Sequence, residues 1–422
     1  MAKIVGTIVV GLSLVFLGQT REAHAAQLAE LVASDPTASA NFGLSIAAAG
    51  NTLVVGAPAA STGGVVYIFQ QSGNTFTQTA RIEPTGPNST QAEFGFSVAY
   101  DGTTLVVGAP QRSTATGAAY VFVQNPNWTQ QAVLTAADGA TFDMFGNAVS
   151  VSGSLVAVGA SSKPGGGAAY VYAGTGGTWV QQAKLAPSDT PNQFGSSVSL
   201  QGTRVAVGAS GTGNIGAAYV FAQSGSTWSQ QTKLVPSDGA AGDTFGDSLS
   251  FQSNMIVVGD SGQNTTTGAA YIFTPSGLSW TQSQKLTAPD GATFDQFGLS
   301  VAAAAGRVVV GAHGHSSQRG EAYAFVQSGS TWTLQQNLTA SDGGSNNLFG
   351  HSVAIIGSNA AASAPLKTSG QGAVYVFSPP APPSVPALGL KGTLLSLVFL
   401  LLAGATALRV RAGAAHKRTR AR

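Results

Sequence analysis

The 422 residues include 55 glycines and no cysteine, with 43% hydrophobic and 9% charged side chains. That apolar content is too high for a disordered chain, and the missing thiols exclude disulfides and cysteine chemistry. The formal charge of +2 hides an asymmetry: residues 26–378 hold ten basic and sixteen acidic side chains, a net of about −6, so no basic stripe is available for nucleic acid.

Residues 1–25 read as a secretory signal peptide. Lys3 precedes an apolar stretch from Ile4 to Leu17, and Ala23-His24-Ala25 supplies a small-residue cleavage site. The alternative is an uncleaved membrane anchor. Gln27-Leu28-Ala29-Glu30-Leu31 follows, then Ser34-Asp35, an echo of Gln182-Ala183-Lys184-Leu185 and Ser188-Asp189.

From there one phrase recurs seven times. Its F-G pairs begin at Phe42, Phe94, Phe145, Phe194, Phe245, Phe297 and Phe349, at intervals of 52, 51, 49, 51, 52 and 52 residues. Each copy predicts four strands. The first alternates after F-G (Ser97-Val98-Ala99), and the second is an apolar run (Leu105-Val106-Val107). The third is Gly117-Ala118-Ala119-Tyr120-Val121-Phe122, and the fourth carries Trp128 and Gln130 to Leu134. Clusters of Gly, Ser, Asn and Asp mark the breaks. Four antiparallel strands per copy of about 50 residues predict an all-β, seven-bladed β-propeller over 26–378. The seventh copy has a degraded second strand (Ala360 to Pro365) and stops after its third, so the N-terminal strand is expected to complete the last blade.

Pro379, Pro380, Pro382, Pro383 and Pro386 make 379–386 a stiff linker. Residues 387–408 read as a membrane-spanning or sorting helix, and 409–422 as a basic tail held on the cytoplasmic side. Val385-Pro386-Ala387-Leu388, then Gly392, an apolar helix and basic residues resemble the IPTL-CTERM class of bacterial sorting signals, akin to PEP-CTERM signals. The resemblance implies processing by an exosortase-type membrane enzyme. Lys391 stands where that class usually has Trp. The alternative is a plain single-span anchor.

Phe94-Gly95-Phe96-Ser97-Val98-Ala99 followed by Gly108-Ala109-Pro110 resembles the FG-GAP repeats of integrin α-subunit heads and bacterial surface proteins. The resemblance implies a propeller. It does not carry over calcium: the family's acidic loop between the first two strands is replaced by short turns, of which only Asp101-Gly102-Thr103 holds an acid. A second acidic pattern lies between copies, in Asp138 with Asp143, Asp238 with Asp243, and Asp290 with Asp295. It reads either as part of an oxygen cage or as turns whose carboxylates cap backbone N–H groups.

Five residues depart from the repeat consensus where the first strand starts or the second ends: Asp247, Asp260, His313, His315 and His351. They are expected on one rim, either as a metal or acid–base site or as drifted polar positions. Tyr67 and its six equivalents, and the Phe76/Trp128/Trp179/Trp228/Trp280/Trp332 row, read as interblade packing, with sugar stacking as the alternative for the outer row. No catalytic residue and no cofactor is assigned. The expected function is a non-enzymatic binding or adhesion scaffold at the cell surface or outside it, using rim loops to hold a protein or glycan. The alternatives are a glycan-active or metal-dependent hydrolase or lyase, and a structural matrix or coat component.

Overall fold

A computed structural model describes residues 26–379 except 87–89, 212–213, 278 and 305. The described chain forms seven four-stranded antiparallel sheets, the blades of one propeller. Blade 1 pairs Ser45–Ala49, Thr52–Ala57, Val65–Ser72 and Thr75–Ile82 in that order. Blades 2 to 6 repeat the plan over 97–134, 149–184, 194–234, 249–286 and 300–338. The stretch read as a signal peptide, the linker residues from 380 on, the expected sorting helix and the basic tail lie outside the described residues.

Blade 7 takes Val353–Ile356, Asn359–Ala364 and Ala373–Phe377 from the end of the ring and Gln27–Leu31 from its start. Leu31, Glu30, Ala29 and Gln27 pair with Val374, Tyr375, Val376 and Phe377, skipping Leu28. In blade 4 the fourth strand skips Gln231 at the matching place, between the partners of Val220 and Phe221. The borrowed strand therefore keeps the bulge of an ordinary fourth strand. Gln27 Oε1 accepts from Ser341 N at 3.0 Å, as Gln230 Oε1 accepts from Ser188 N at 2.8 Å. The second strand, expected to be degraded, is intact. Asn359–Ala364 is buried throughout and paired on both sides, because its alanines still fill a two-sided interior position.

The recurrent phrase encodes the joint between blades. A Cβ on Gly208 would lie 2.0 Å from Gly246 O of the next blade, so only glycine fits. Ser197 Oγ donates to that same carbonyl at 2.7 Å. Blade 3 has Ala148 in the serine's place, and Asn147 Nδ2 donates to Gly195 O at 3.0 Å instead. The phenylalanine of each F-G pair drives the packing. Phe194 is buried edge-on against Tyr219 and Phe221, with ring centroids 5.5 and 6.1 Å apart, and the other six copies repeat the arrangement.

The outer aromatic row is packed. Trp280 and Trp332 are buried, and the others are half-buried, with Trp179 and Trp228 donating to Gln131 and Gln182 of neighbouring blades at 2.7 and 2.8 Å. Asp101 caps its own turn through Thr103 N and Thr104 N, and its other oxygen accepts from Gly153 N of the next blade at 2.8 Å. It is spent on backbone groups.

Candidate functional site

Each interblade linker runs along one rim beside the turn that joins the second and third strands. Among the described residues, the turns Arg112–Ala115, Gln263–Thr266, His315–Gln318 and Lys367–Gly370 are single left-handed helical turns. Ser113, Thr114 and Ala115 have φ of 53, 57 and 58°, and none is glycine. Successive left-handed L-residues cost about 1–2 kcal/mol each. Bonds to the linker oppose that cost: Met144 N donates to Ala115 O at 2.9 Å, Gln296 N to Thr266 O at 2.9 Å and Leu348 N to Gln318 O at 3.0 Å. The turn tips stay polar and exposed. Phe142 and Phe294, on the linkers and themselves at positive φ, expose 66% and 69% of their surface.

Behind this rim lies a charge node that recurs around the ring. In blade 3, Tyr170 OH donates to Asp138 Oδ1 and Lys184 Nζ to Asp138 Oδ2, both at 2.7 Å. Lys163 Nζ, from the second turn, donates to Asp143 Oδ2 at 2.6 Å. Burial opposes ionisation of Asp138, but the bonds from Lys184 and Tyr170 hold its carboxyl down to about 2. Blades 1, 4 and 5 use Asp35–Tyr67–Arg81, Asp189–Tyr219–Lys233 and Asp238–Tyr271–Lys285. The linker carboxylates of blades 3 and 5 are thus bound by protein groups, the second reading of the acidic pattern: Asp143 and Asp243 also accept from Ala140 N and Ala240 N at 2.8 Å.

The cation has two alternative sources. The fourth strand supplies Arg81, Lys184, Lys233 and Lys285, opposite the tyrosine. In blade 7 that position is Glu30, and Lys367 from the turn bonds both Glu30 and Asp342. Its ammonium sits 5.1 Å from the Tyr375 centroid, much as Lys233 sits 5.5 Å from Tyr219. In blade 2, Val133 faces Tyr120, and the phenol is beside Arg112 of the turn.

Blade 6 departs from all of these. The strand position is Asn337 and the turn position is His315. The alanine opening the third strand in blades 2–5 and 7 is Glu321, only 6% exposed. His315 Nδ1 lies 2.9 Å from Asp295 Oδ2; Nε2 lies 3.1 Å from Glu321 Oε2 and 3.9 Å from Asp290 Oδ2. Tyr323 OH donates to Asp290 Oδ1 at 2.8 Å. Burial opposes protonation of His315, but the Asp295 bond and the surrounding carboxylates raise its pKa above the usual imidazole range; burial likewise raises that of Glu321. Asp290, His315 and Glu321 each offer one ligand atom within 4.8 Å of the others, the one such group of three among the described residues.

The five deviant residues reach the rim as three separate groups. Asp247 and Asp260 belong to blade 5 and share Thr244, whose Oγ1 donates to Asp247 Oδ2 at 3.0 Å and whose N donates to Asp260 Oδ1 at 2.9 Å. Asp260 is wholly buried, and its Oδ2 has no partner. Burial raises the Asp247 carboxyl to about 6 and that of Asp260 to about 7, with Asp243 and Asp247 adding repulsion at Asp260. His313 bonds Gln296 through Nε2 and stacks on His351, centroids 5.5 Å apart. Burial, then the neighbouring ring, lowers His313 to about 4, and burial lowers His351 too. Of the five, only His315 belongs to the group of three ligand-bearing side chains. Its partners Glu321 and Asp295 were not among the deviant residues. Glu321 was detectable as the break in Gly-Ala-Ala-Tyr, and Asn337 as the break in Lys-Leu.

Seven sheets joined by F-G phenylalanines, with a phenol at the same node of every blade, define a propeller of repeated interblade joints. Seven FG-GAP repeat matches cover residues 26–69, 76–122, 128–172, 179–221, 228–273, 280–325 and 332–377, and the chain belongs to the FG-GAP repeat family. Each match starts on the outer strand of one blade and ends on the third strand of the next, so repeat and blade are one strand out of phase. No curated protein matches the chain. Among solved structures, a chain in "Crystal Structure of Mitotic Checkpoint Complex" aligns with TM-score 0.54 and 13% identity, over 89% of this chain and 99% of that one. Sqt1 of Saccharomyces cerevisiae aligns with TM-score 0.47 and 12% identity, over 79% of this chain and 82% of that one. At 13% identity the first likeness is one of fold alone.

Proposed function

We propose that the protein is an exported, non-enzymatic binding scaffold that holds a protein or glycan on the rim carrying the interblade linkers. The observation that carries this reading is the pair of exposed rings, Phe142 and Phe294, on linkers braced by left-handed turns. A bulky side chain at positive φ is costly, and such strain gathers where a surface is held ready for a ligand. An exposed apolar ring beside polar groups, as Phe142 lies beside Gln91, Ser113 and Thr114, is suited to a partly apolar, hydrogen-bonding partner. The test is binding of the intact protein to glycan arrays and to purified surface proteins. A Phe142→Ser/Phe294→Ser variant is expected to lose at least tenfold in affinity with an unchanged melting temperature. Unaltered binding by that variant would remove the rim reading.

For the hydrolase alternative, Asp247 and Asp260 have the raised pKa values of an acid–base pair. Full burial of Asp260 keeps it from a substrate, which favours binding over catalysis.

Export rests on residues 1–25, and surface delivery on the sorting-like segment at 385–422. In this proposal an exosortase-type enzyme cuts near Val385 to Leu388, and the acidic ring leaves the membrane. Intact-mass measurement of surface-extracted protein tests it: a mature pool that still carries residues 393–422 would leave a plain anchor in its place.

A further inference from the structure

Blade 6 differs from its sister blades in the cation at its node. Asp290, Asp295 and Glu321 bring three carboxylates, and the one basic partner is an imidazole in place of the lysine or arginine that the other nodes hold. A buried carboxylate needs a compensating charge. Glu321 is not required by the fold, since five other blades place alanine there. Two substitutions, loss of the strand lysine at Asn337 and gain of Glu321, thus act in one direction: each makes the node more negative.

The hydrogen bonds orient the imidazole. With Nδ1–H donated to Asp295 Oδ2 at 2.9 Å, the Nε2 lone pair faces Glu321 Oε2 at 3.1 Å and Asp290 Oδ2 at 3.9 Å. Three acceptors then lie within 4.8 Å of one another. A carboxylate holding one imidazole nitrogen while the other faces acidic ligands is the outer-shell arrangement of metal-bound histidine. Ligands about 2.1 Å from a metal stand roughly 3.0–3.4 Å apart in tetrahedral or octahedral geometry, so the 3.1 Å edge needs no change and the 3.9 Å edge a small closure. Asp290 is 45% exposed, which leaves a side open for water. In blade 3 the same turn position carries Lys163, whose ammonium lies 2.6 Å from Asp143 and 3.7 Å from Asp138, the equivalents of Asp295 and Asp290. The place is a cation site already, filled there by a side chain.

We propose that blade 6 binds one first-row divalent cation, of the zinc or manganese type, through Asp290, His315 and Glu321, with Asp295 as the positioning residue for His315. One imidazole and two carboxylates suit such a metal, whereas calcium needs six to eight oxygen ligands. The site is distinct from the first-to-second-strand loops and independent of the rim-binding reading.

The experiment is calorimetric titration of the chelator-treated full-length protein with zinc, manganese and calcium chlorides in turn. Zinc or manganese is expected to bind with micromolar or tighter affinity and to raise the melting temperature, with calcium far weaker. Glu321→Ala and His315→Lys each restore a residue used by a sister blade, so both variants are expected to fold. Each is expected to lose about 100-fold in affinity, and Asp295→Asn about 10-fold or more. Wild-type protein that binds neither metal, or variants that bind as tightly as wild type, would overturn the proposal, as would a preference for calcium.

Discussion

Blades 3 and 6 are built on one template and solve the same electrostatic problem differently. In blade 3 the buried Asp143 and the half-exposed Asp138 meet two lysines, one from the turn and one from the fourth strand. In blade 6 the same two carboxylate positions meet a histidine, Asn337 replaces the strand lysine, and a third carboxylate, Glu321, enters from the third strand. The strand plan is the same; blade 3's two lysines balance its two carboxylates, whereas blade 6 sets three carboxylates against one imidazole. The comparison teaches that the F-G joint and the tyrosine carry the architecture, while the cation position is free to vary.

The largest effect is expected from taking blade 3's internal cation away. Lys163→Met leaves Asp143, 1% exposed, without its ion-pair partner, and is expected to cost about 4 kcal/mol. Equilibrium denaturation checks it, and adding Asp143→Ala should recover most of the loss. If Lys163→Met were neutral, the node would not be an electrostatic unit.

Blade 5 stands between the two, keeping Lys285 but adding Asp260 where other blades have alanine. Its folded carboxyl titrates at about 7 against an unfolded 3.8, so between those values the folded state binds more protons. Stability contributed by this group is therefore full below about pH 4 and falls as pH rises to about 7. Asp260→Asn should raise stability by about 2 kcal/mol at pH 8 and leave it unchanged near pH 4. A gain of equal size at both pH values would place its origin outside ionisation.

Glu321→Ala relieves blade 6 of a buried carboxylate. In chelator-treated protein at neutral pH it is expected to stabilise by about 1 kcal/mol. A clear loss of stability in the absence of metal would mean that Glu321 holds the blade together. The smallest change belongs to blade 3's outer lysine: the Lys184–Asp138 pair is close to half exposed on both sides, so Lys184→Met should cost about 0.5 kcal/mol, less again in high salt.

Much of the fold was legible because it rests on repetition. Seven F-G pairs at a near-constant interval revealed the blades, and the echo of Gln182 to Asp189 in Gln27 to Asp35 revealed the closing strand. The left-handed turns were not legible. Ser113-Thr114-Ala115 and Ser316-Ser317-Gln318 contain no glycine, and their conformation depends on bonds to the following linker. The second strand of blade 7 reads as degraded because Ala360 to Pro365 lacks the large side chains of the other copies, and it forms all the same because burial on both faces suits small ones.

The site divides in the same way. Deviation from the repeat singled out Asp247, Asp260, His313, His315 and His351, since a position that breaks a sevenfold pattern is visible in one dimension. Their grouping was not visible. Asp290 comes from a linker, His315 from a turn, and Glu321 and Asn337 from facing strands, so four segments must fold before their charges meet. Strand pairing and blade count follow from local periodicity, which each repeat carries alone. Electrostatic partnership depends on distances between residues tens of positions apart, and only the closed ring sets those distances.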